Sequence, residues 1–510
     1  MTEKIKISTS VAENRAYIKA QYETEKNFDF KLRDFQIRFA DGYVDAFLIF
    51  YDGMANKNFI NRDLMRSLLQ SGSKEKLSAN REEVILEKMT PIGPMSMLRD
   101  FQGVARDVTF GHCVIFVDGV AGAFTADVKG WDSRGVGQPI REASLSGPQE
   151  AFNEILVTDI ALIRKILKTP DLIAENIPIG KESQTPCGLL YLRGVTNEGL
   201  VAEIRRRLSE IDISYVFSTG DVEMLLEDKT FFPMTHTLKT ERPDRAASLL
   251  AEGKVVLLLQ GSPFALVLPT TATDLVEAAE DNYVRVSEAN FMRIIRLFGV
   301  LLAIFLPGLF VAVLLYHHEM LPTELLLAIE ASREPVPFPL VAELILMTLA
   351  FELIKEASIR VPSPVGATLG IIGGLILGQA AVEANIVSPL LIIVVSIAGL
   401  GSFATPSVSL SRSISLMQLI YIILGGAAGL LGIVCGIFVN GSILAASETF
   451  GVPFFSPLTP KNGDSVWGSL LIKPIWKKEL RPRNLKTQNP VKQPHISRKW
   501  LKDKKGGGAL

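Results

Sequence analysis

Thr348, Glu352, Glu356 and Arg360 recur at every fourth position, with Lys355 beside them, in a stretch otherwise rich in Leu and Ile. A helix over 340–360 therefore carries a polar stripe on an apolar body. An ionised group at the centre of a bilayer costs about 2.5–3.5 kcal/mol on the insertion scale. Such a helix is expected to lie along the interface or to turn its stripe to a water-filled lumen, where Glu352 and Glu356 line an ion path. The bland alternative is a helix held by i,i+4 ion pairs with no transport role. Glu343 sits off the stripe, about one turn after Pro339, where the helix dipole favours a carboxylate. A second polar group, Gln379, Glu383, Asn385 and Ser388, lies in the run GQAAVEANIVSP. At a short helix–helix junction these side chains either cap helix ends or line a permeation path.

No catalytic constellation accompanies them. The chain has no glycine-rich phosphate loop, no G-x-S-x-G and no His-rich metal spacing, so neither an enzyme nor a cofactor is expected. Cys113, Cys187 and Cys435 are odd in number and far apart; they are expected to be reduced thiols rather than a disulfide or zinc framework. In ERPDR (241–245), Asp244 reads as the N-cap of the helix RAASLLAEG, with Gly253 ending it. Arg242 and Arg245 are free in this reading to pair with acidic neighbours or a partner subunit.

The elements that must position these groups separate along the chain. With 48% hydrophobic residues and a mean hydropathy of +0.28, the chain is too apolar for an ordinary soluble protein of its length. The apolar character is concentrated between about 294 and 446, whereas charge is frequent before it. Four spans are expected, at 297–316, 365–382, 386–404 and 416–439, each near the roughly 20 residues that cross a bilayer. The segment 340–360 adds an amphipathic fifth element. Arg293 and Arg296 precede the first span and Glu319 and Glu324 follow it, so the positive-inside rule puts the soluble region in the cytoplasm. The tail, 447–510, is basic, and an even number of spans keeps it on that same side. Gly366, Gly370, Gly374 and Gly378 form a small-residue ridge for close helix association, within one subunit or between subunits; Gly425 with Gly429, and Gly432 with Gly436, repeat the device. No apolar core marks the first fifteen residues as a cleaved signal, and no basic patch suggests nucleic acid.

The soluble region reads as two related α/β subdomains. DAFLIFYDG (45–53) matches GLLYLRG (188–194) at an offset of about 141, aligning Gly53 with Gly194 and Asn56 with Asn197; CVIFVDGVAGAFTADV (113–128) returns as KVVLLLQGSPFALVLP (254–269), aligning Gly119 with Gly261. The expected order is a mobile arm (1–33), subdomain 1 (34–147), a linking helix (148–168), subdomain 2 (169–285) and the transmembrane domain (290–446). The fold class is thus a multi-domain membrane protein, with two α/β cytoplasmic subdomains followed by an α-helical transmembrane domain.

Several long runs resemble the A subunits of GerA-type spore germinant receptors: TERPDRAASLLAEGKVVLLLQGSPFALVLP, FMRIIRLFGVLLAIFLPGLFVAVLLYHHEMLPTELLLAIEASREPVPFP, GQAAVEANIVSP and SETFGVPFFSPLTP. The likeness covers about 40–485. PIREASLSGPQEAFNE (139–154) resembles a family motif, keeping Glu142, Gly147, Pro148, Phe152 and Glu154, and departing at Ser146 and Gln149, where basic residues are usual. Thr348 stands where the family commonly has glutamate. The resemblance implies a multi-pass subunit in the spore inner membrane, both termini cytoplasmic. It also implies homo-oligomers acting with a transporter-like B subunit that recognises nutrient and a lipoprotein C subunit. Nutrient binding would then be coupled to ion release.

Overall fold

The computed structural model describes residues 5–39, 42–70, 81–83, 85–86, 95–130, 137–139, 142, 144, 146–228, 233–360, 374, 378–459, 470–494 and 498. The chain forms two compact units. One takes the chain up to Glu227, Lys239–Pro269 and the tail from Ile475; the other takes Asp228–Leu238 and Thr270–Pro474.

Two five-stranded sheets build the first unit. Strands β1 (Phe30–Phe39), β2 (Gly42–Tyr51), β3 (Ser96–Leu98), β4 (Cys113–Val117) and β5 (Ala123–Ala126) lie in the order β1-β2-β4-β5-β3. Strands β6 (Leu172–Ile179), β7 (Thr185–Leu192), β8 (Leu238–Thr240), β9 (Val255–Leu259) and β10 (Ala265–Leu268) repeat it as β6-β7-β9-β10-β8. An offset of 142 carries β3, β4 and β5 onto β8, β9 and β10, and helix α2 (Phe101–Thr109) onto its later counterpart Pro243–Ala251. The turn residues match as well. Gly53 and Gly194 have φ of 79° and 71°, Gly119 and Gly261 have 79° and 86°, and Asn56 and Asn197 both cap the following helix through their side chains. Left-handed backbone at these corners is what glycine permits.

Strand β2 is buried on both faces, which is why it reads as an apolar run rather than an alternation. Ala46, Leu48 and Phe50 pack with Ile60, Leu64 and Leu68 on one side; Phe47, Ile49 and Tyr51 pack with Ile18, Tyr22, Phe101 and Val104 on the other.

That second layer corrects the expected mobile arm. Residues 11–22 form helix α1 (Val11–Tyr22), N-capped by Ser10, and subdomain 1 begins with it. Its buried positions, Asn14, Ile18 and Tyr22, make a stripe one residue wide, too thin to stand out as amphipathic. The linking helix is shorter than expected, α3 (Leu156–Ile166). It covers β7 and β9 as α1 covers β2 and β4, so the arm and the linker are two copies of one element. The basic tail is not free either. Arg481 donates to Ala251 O at 2.9 Å, Gln488 N–H to Val195 O at 3.0 Å, and Lys492 pairs with Glu252 at 3.1 Å, docking the tail on the second sheet's unit.

In the other unit, helices α5 (Val286–Tyr316), α7 (Leu340–Arg360), α8 (Pro389–Phe403) and α9 (Val408–Ala445) form a bundle, with α6 (Thr323–Arg333) between α5 and α7 in the chain and α4 being Pro243–Ala251 of the first unit. By length and composition α5 and the 409–445 stretch of α9 suffice to cross a membrane. The expected single span at 416–439 does not describe α9. Ala428 and Gly429 have non-helical backbone angles, and Asn440 donates to the Tyr421 hydroxyl at 3.1 Å. Nineteen helical residues would separate those two by about 28 Å along a straight axis, so the chain folds back on itself. Gly429, at φ 61°, makes the turn. The Tyr316 hydroxyl donates to Gly426 O and Ala427 O at 2.9 and 3.1 Å, supplying a donor to carbonyls that the broken helix leaves exposed.

The glycines of α9 are consumed inside the chain. A Cβ on Gly425 would lie 2.5 Å from Gly308 O, and one on Gly432 would lie 2.2 Å from Leu424 O in the opposite arm. Gly425→Leu is therefore expected to cost about 1–3 kcal/mol through overpacking, seen as a lower unfolding midpoint of the detergent-solubilised chain, with Gly425→Ala intermediate. Gly366 and Gly370 lie outside the described residues. Around the Cβ position of Gly374 no described atom comes within 4 Å, and that of Gly378 meets Ile392 at 3.7 Å.

Candidate functional site

Helix α7 runs with the bundle rather than across its end. Glu343 meets Ser388, Phe351 packs on Gly399, and Lys355 reaches Ser402, so α7 and α8 lie side by side in one direction. This packing divides the predicted stripe. Leu346, Leu349 and Leu353 are exposed, Leu340, Leu344 and Met347 pack into the bundle core, and of the stripe Thr348 is 5% exposed, Glu352 and Lys355 are partly buried and Glu356 is exposed.

Glu352 is the centre of the polar interior. Its Oε1 accepts from Lys355 Nζ at 2.9 Å and from Ser415 Oγ at 2.7 Å. Lys355 also approaches Ser415 Oγ at 3.2 Å, Ser402 Oγ at 3.4 Å and, at 5.5 Å, the Phe403 ring. Three helices thus converge on one ion pair whose lysine is nearly covered and whose carboxylate is about a third exposed. Glu356, one turn on, is exposed. The arrangement is an ion pair held by two serine hydroxyls, and it offers no nucleophile–base geometry.

A second polar focus escaped the sequence reading. The carboxylate of Glu343, fully buried, accepts Ser388 N–H at 2.5 Å and lies 3.8 Å from Arg333 Nε. Ser388 precedes α8, so the carboxylate caps that helix from another one. The only signal was the acid's position, which a local dipole already explained.

Asn385 ends the helix before its junction. Its φ is 53°, and Ile386 N–H bonds to Ala381 O while Asn385 N–H bonds to Val382 O, the paired pattern of a Schellman helix end. Gln379 donates to Glu383 at 3.0 Å on an exposed surface; neither lies in the Glu352 cluster.

In the first unit the motif residues come together. Arg242, with 0% exposure, grips Asp244 through two bonds of 3.1 and 3.0 Å and donates to Glu142 O at 3.1 Å and Pro148 O at 3.0 Å. Arg245 pairs with the Glu142 carboxylate. Phe152 N–H bonds to Glu241 O, and Gly261 N–H to Glu154 O, both at 2.8 Å; Gly147 takes φ of 123°. Glu142 and the 146–154 segment are thus clamped onto the second α/β unit. Asp244 is not the N-cap: α4 starts with Pro243 after Arg242, because proline suits the first helical position and Asp244 is held by the arginine. Gly253 does end the helix, at φ 100°. Burial pushes the Cys187 thiol up to about 12 and Cys113 higher, which keeps both inert. Among the described residues no three His, Cys, Asp or Glu side chains gather as a metal site.

The chain is similar to several known proteins. Spore germination protein KA of Bacillus subtilis strain 168 is 35% identical over 487 residues, covering 96% of this chain and 89% of that protein. Spore germination protein A1 of the same organism is 35% identical over 382 residues, covering 74% and 79%. The crystallised N-terminal domain of the A subunit of the Bacillus megaterium spore germinant receptor GerK3 shares 28% identity, covering 52% of this chain and 96% of that one, with a TM-score of 0.41. The profile described as Bacillus/Clostridium GerA spore germination protein matches residues 16–484, and the chain belongs to that family.

Proposed function

We propose that the chain is a subunit of a nutrient germinant receptor in the spore inner membrane, oligomerising and coupling nutrient binding by a partner subunit to ion release. The Glu352–Lys355 pair carries this reading: a charged pair inside a bundle whose outer face is apolar is costly in a bilayer and is retained where ions or protons pass. The partners are a transporter-like B subunit and a lipoprotein C subunit. Both termini lie in the cytoplasm in a multi-pass topology, and the hairpin in α9 returns the chain to the side from which that helix starts. Nutrient shifts a closed-to-open equilibrium by its differential affinity for the two states.

Glu352→Gln at normal receptor abundance is expected to change nutrient-triggered cation release from reconstituted vesicles severalfold, with Glu356→Gln smaller because that side chain is exposed. Unchanged flux in both variants sinks the assignment. The alternative is a non-conducting scaffold that relays the sensor's state through the α/β units. The Arg242 clamp favours it, since it ties a linker segment to a folded unit; damage at Arg242 or Phe152 would then abolish assembly while Glu352→Gln stays silent.

A further inference from the structure

We propose that a cavity at the root of α5 binds one acyl chain of a membrane lipid, with the chain's ester carbonyl accepting the Nε–H of Arg293. The inference rests on the reading of α5 as a membrane helix. The cavity holds about 220 Å³ and is walled by apolar side chains, among them Val276, Leu297, Leu410, Phe454 and Leu471. Among the described residues its two polar lining residues are Thr273 and Arg293. Thr273 is bonded to Thr271 at 2.9 Å. Arg293 is 7% exposed, and its guanidinium is engaged at both ends, by Leu470 O at 3.1 Å and by Glu277 at 2.6 Å, with Asp281 at 3.6 Å.

The Nε–H is the exception, buried and without a hydrogen-bond partner among the described residues. A buried donor left unpaired calls for a missing acceptor. Water is a poor one here, because an apolar cavity of this kind stays dry. A phosphate is also a poor one, because two carboxylates already neutralise the arginine. What fits is a neutral carbonyl on an apolar chain. Access is available as well: Ile294 both lines the cavity and is half exposed, on the same outward helix surface as Phe298 and Leu301. That surface is where the apolar run begins, so a chain can enter from the hydrocarbon side without crossing water.

The test uses the full chain in nanodiscs containing a phosphatidylcholine with a photoreactive diazirine in one acyl chain. Labelling is expected on Phe454, Phe455 or Leu471 as well as on the outer residues Phe298 and Leu301. Leu297→Trp, which fills the cavity, should reduce the inner labelling at least tenfold while leaving the outer labelling intact; Leu410→Phe serves if that variant does not fold. Outer labelling alone, or inner labelling unchanged by both variants, overturns the proposal. So does recovery of a non-lipid apolar molecule from the purified chain by native mass spectrometry. If α5 does not enter the bilayer, Phe298 and Leu301 are unlabelled too, which separates failure of the membrane reading from failure of the site.

Discussion

Arg164→Ala is expected to destabilise the paired α/β unit by about 3–5 kcal/mol, the cost of stranding one partner of a buried ion pair. The guanidinium is 2% exposed and Asp29 0%. It bonds bidentately to Asp29 at 2.6 and 2.7 Å, and to Asn27 Oδ1 at 2.8 Å and Leu172 O at 2.9 Å, while stacking 4.0 Å above the Tyr51 ring. Four of its donor contacts are therefore made in a place water does not reach. Asp29 and Asn27 precede the first sheet and Arg164 lies in α3 over the second, so the pair joins the two repeats. Denaturant unfolding of the full chain should show a lower midpoint, and the two sheets should separate into distinct transitions. Replacing both partners, Arg164→Met with Asp29→Asn, should recover more than half of the loss, since the charge left behind is the main penalty. Full cooperativity in Arg164→Ala would show that the repeats are held by apolar contacts alone.

Asp159 sets a pH dependence of similar size. It lies in the first turn of α3 with 1% exposure. Burial pushes its carboxyl up to about 8, opposed by the Asn153 N–H, which donates to it at 2.8 Å. The folded state therefore keeps the proton across a window in which the unfolded chain has lost it. With a folded value above the unfolded one, stability is fully present below about pH 4 and falls as pH rises toward about 8, by up to about 1.4 kcal/mol per unit from this group. Asp159→Asn keeps an acceptor for Asn153 and removes the titration. Its unfolding midpoint should be nearly that of the parent at pH 4 and clearly higher at pH 8. Parallel pH profiles for the two chains would mean that the carboxylate is ionised and compensated in the fold.

The repeat was legible because its marks are backbone requirements. Gly53 and Gly194, Gly119 and Gly261 sit where φ is positive, and Asn56 and Asn197 cap the next helix; such positions admit few residue types. Helix α1 escaped notice because a helix that buries one side chain per turn leaves no broad apolar stripe. The α9 hairpin escaped for a different cause. Apolar residues fill both arms, so hydropathy runs through the turn, and a lone glycine among many carries no mark of its own conformation. The polar stripe of α7 was visible as a spacing, but which members meet depended on Ser402 and Ser415, which lie 47 and 60 residues from Lys355.

The sequence by itself determined the two α/β repeats, the apolar helical region and the family, because turn glycines, caps and hydropathy are local demands that each residue meets alone. Only the tertiary structure decided that α9 doubles back, that Glu352 and Glu343 are held by different helices, and that Arg164 joins the repeats. Each of those depends on pairs far apart in the chain, and the free energy of a buried charge is set by the partner that folding brings to it.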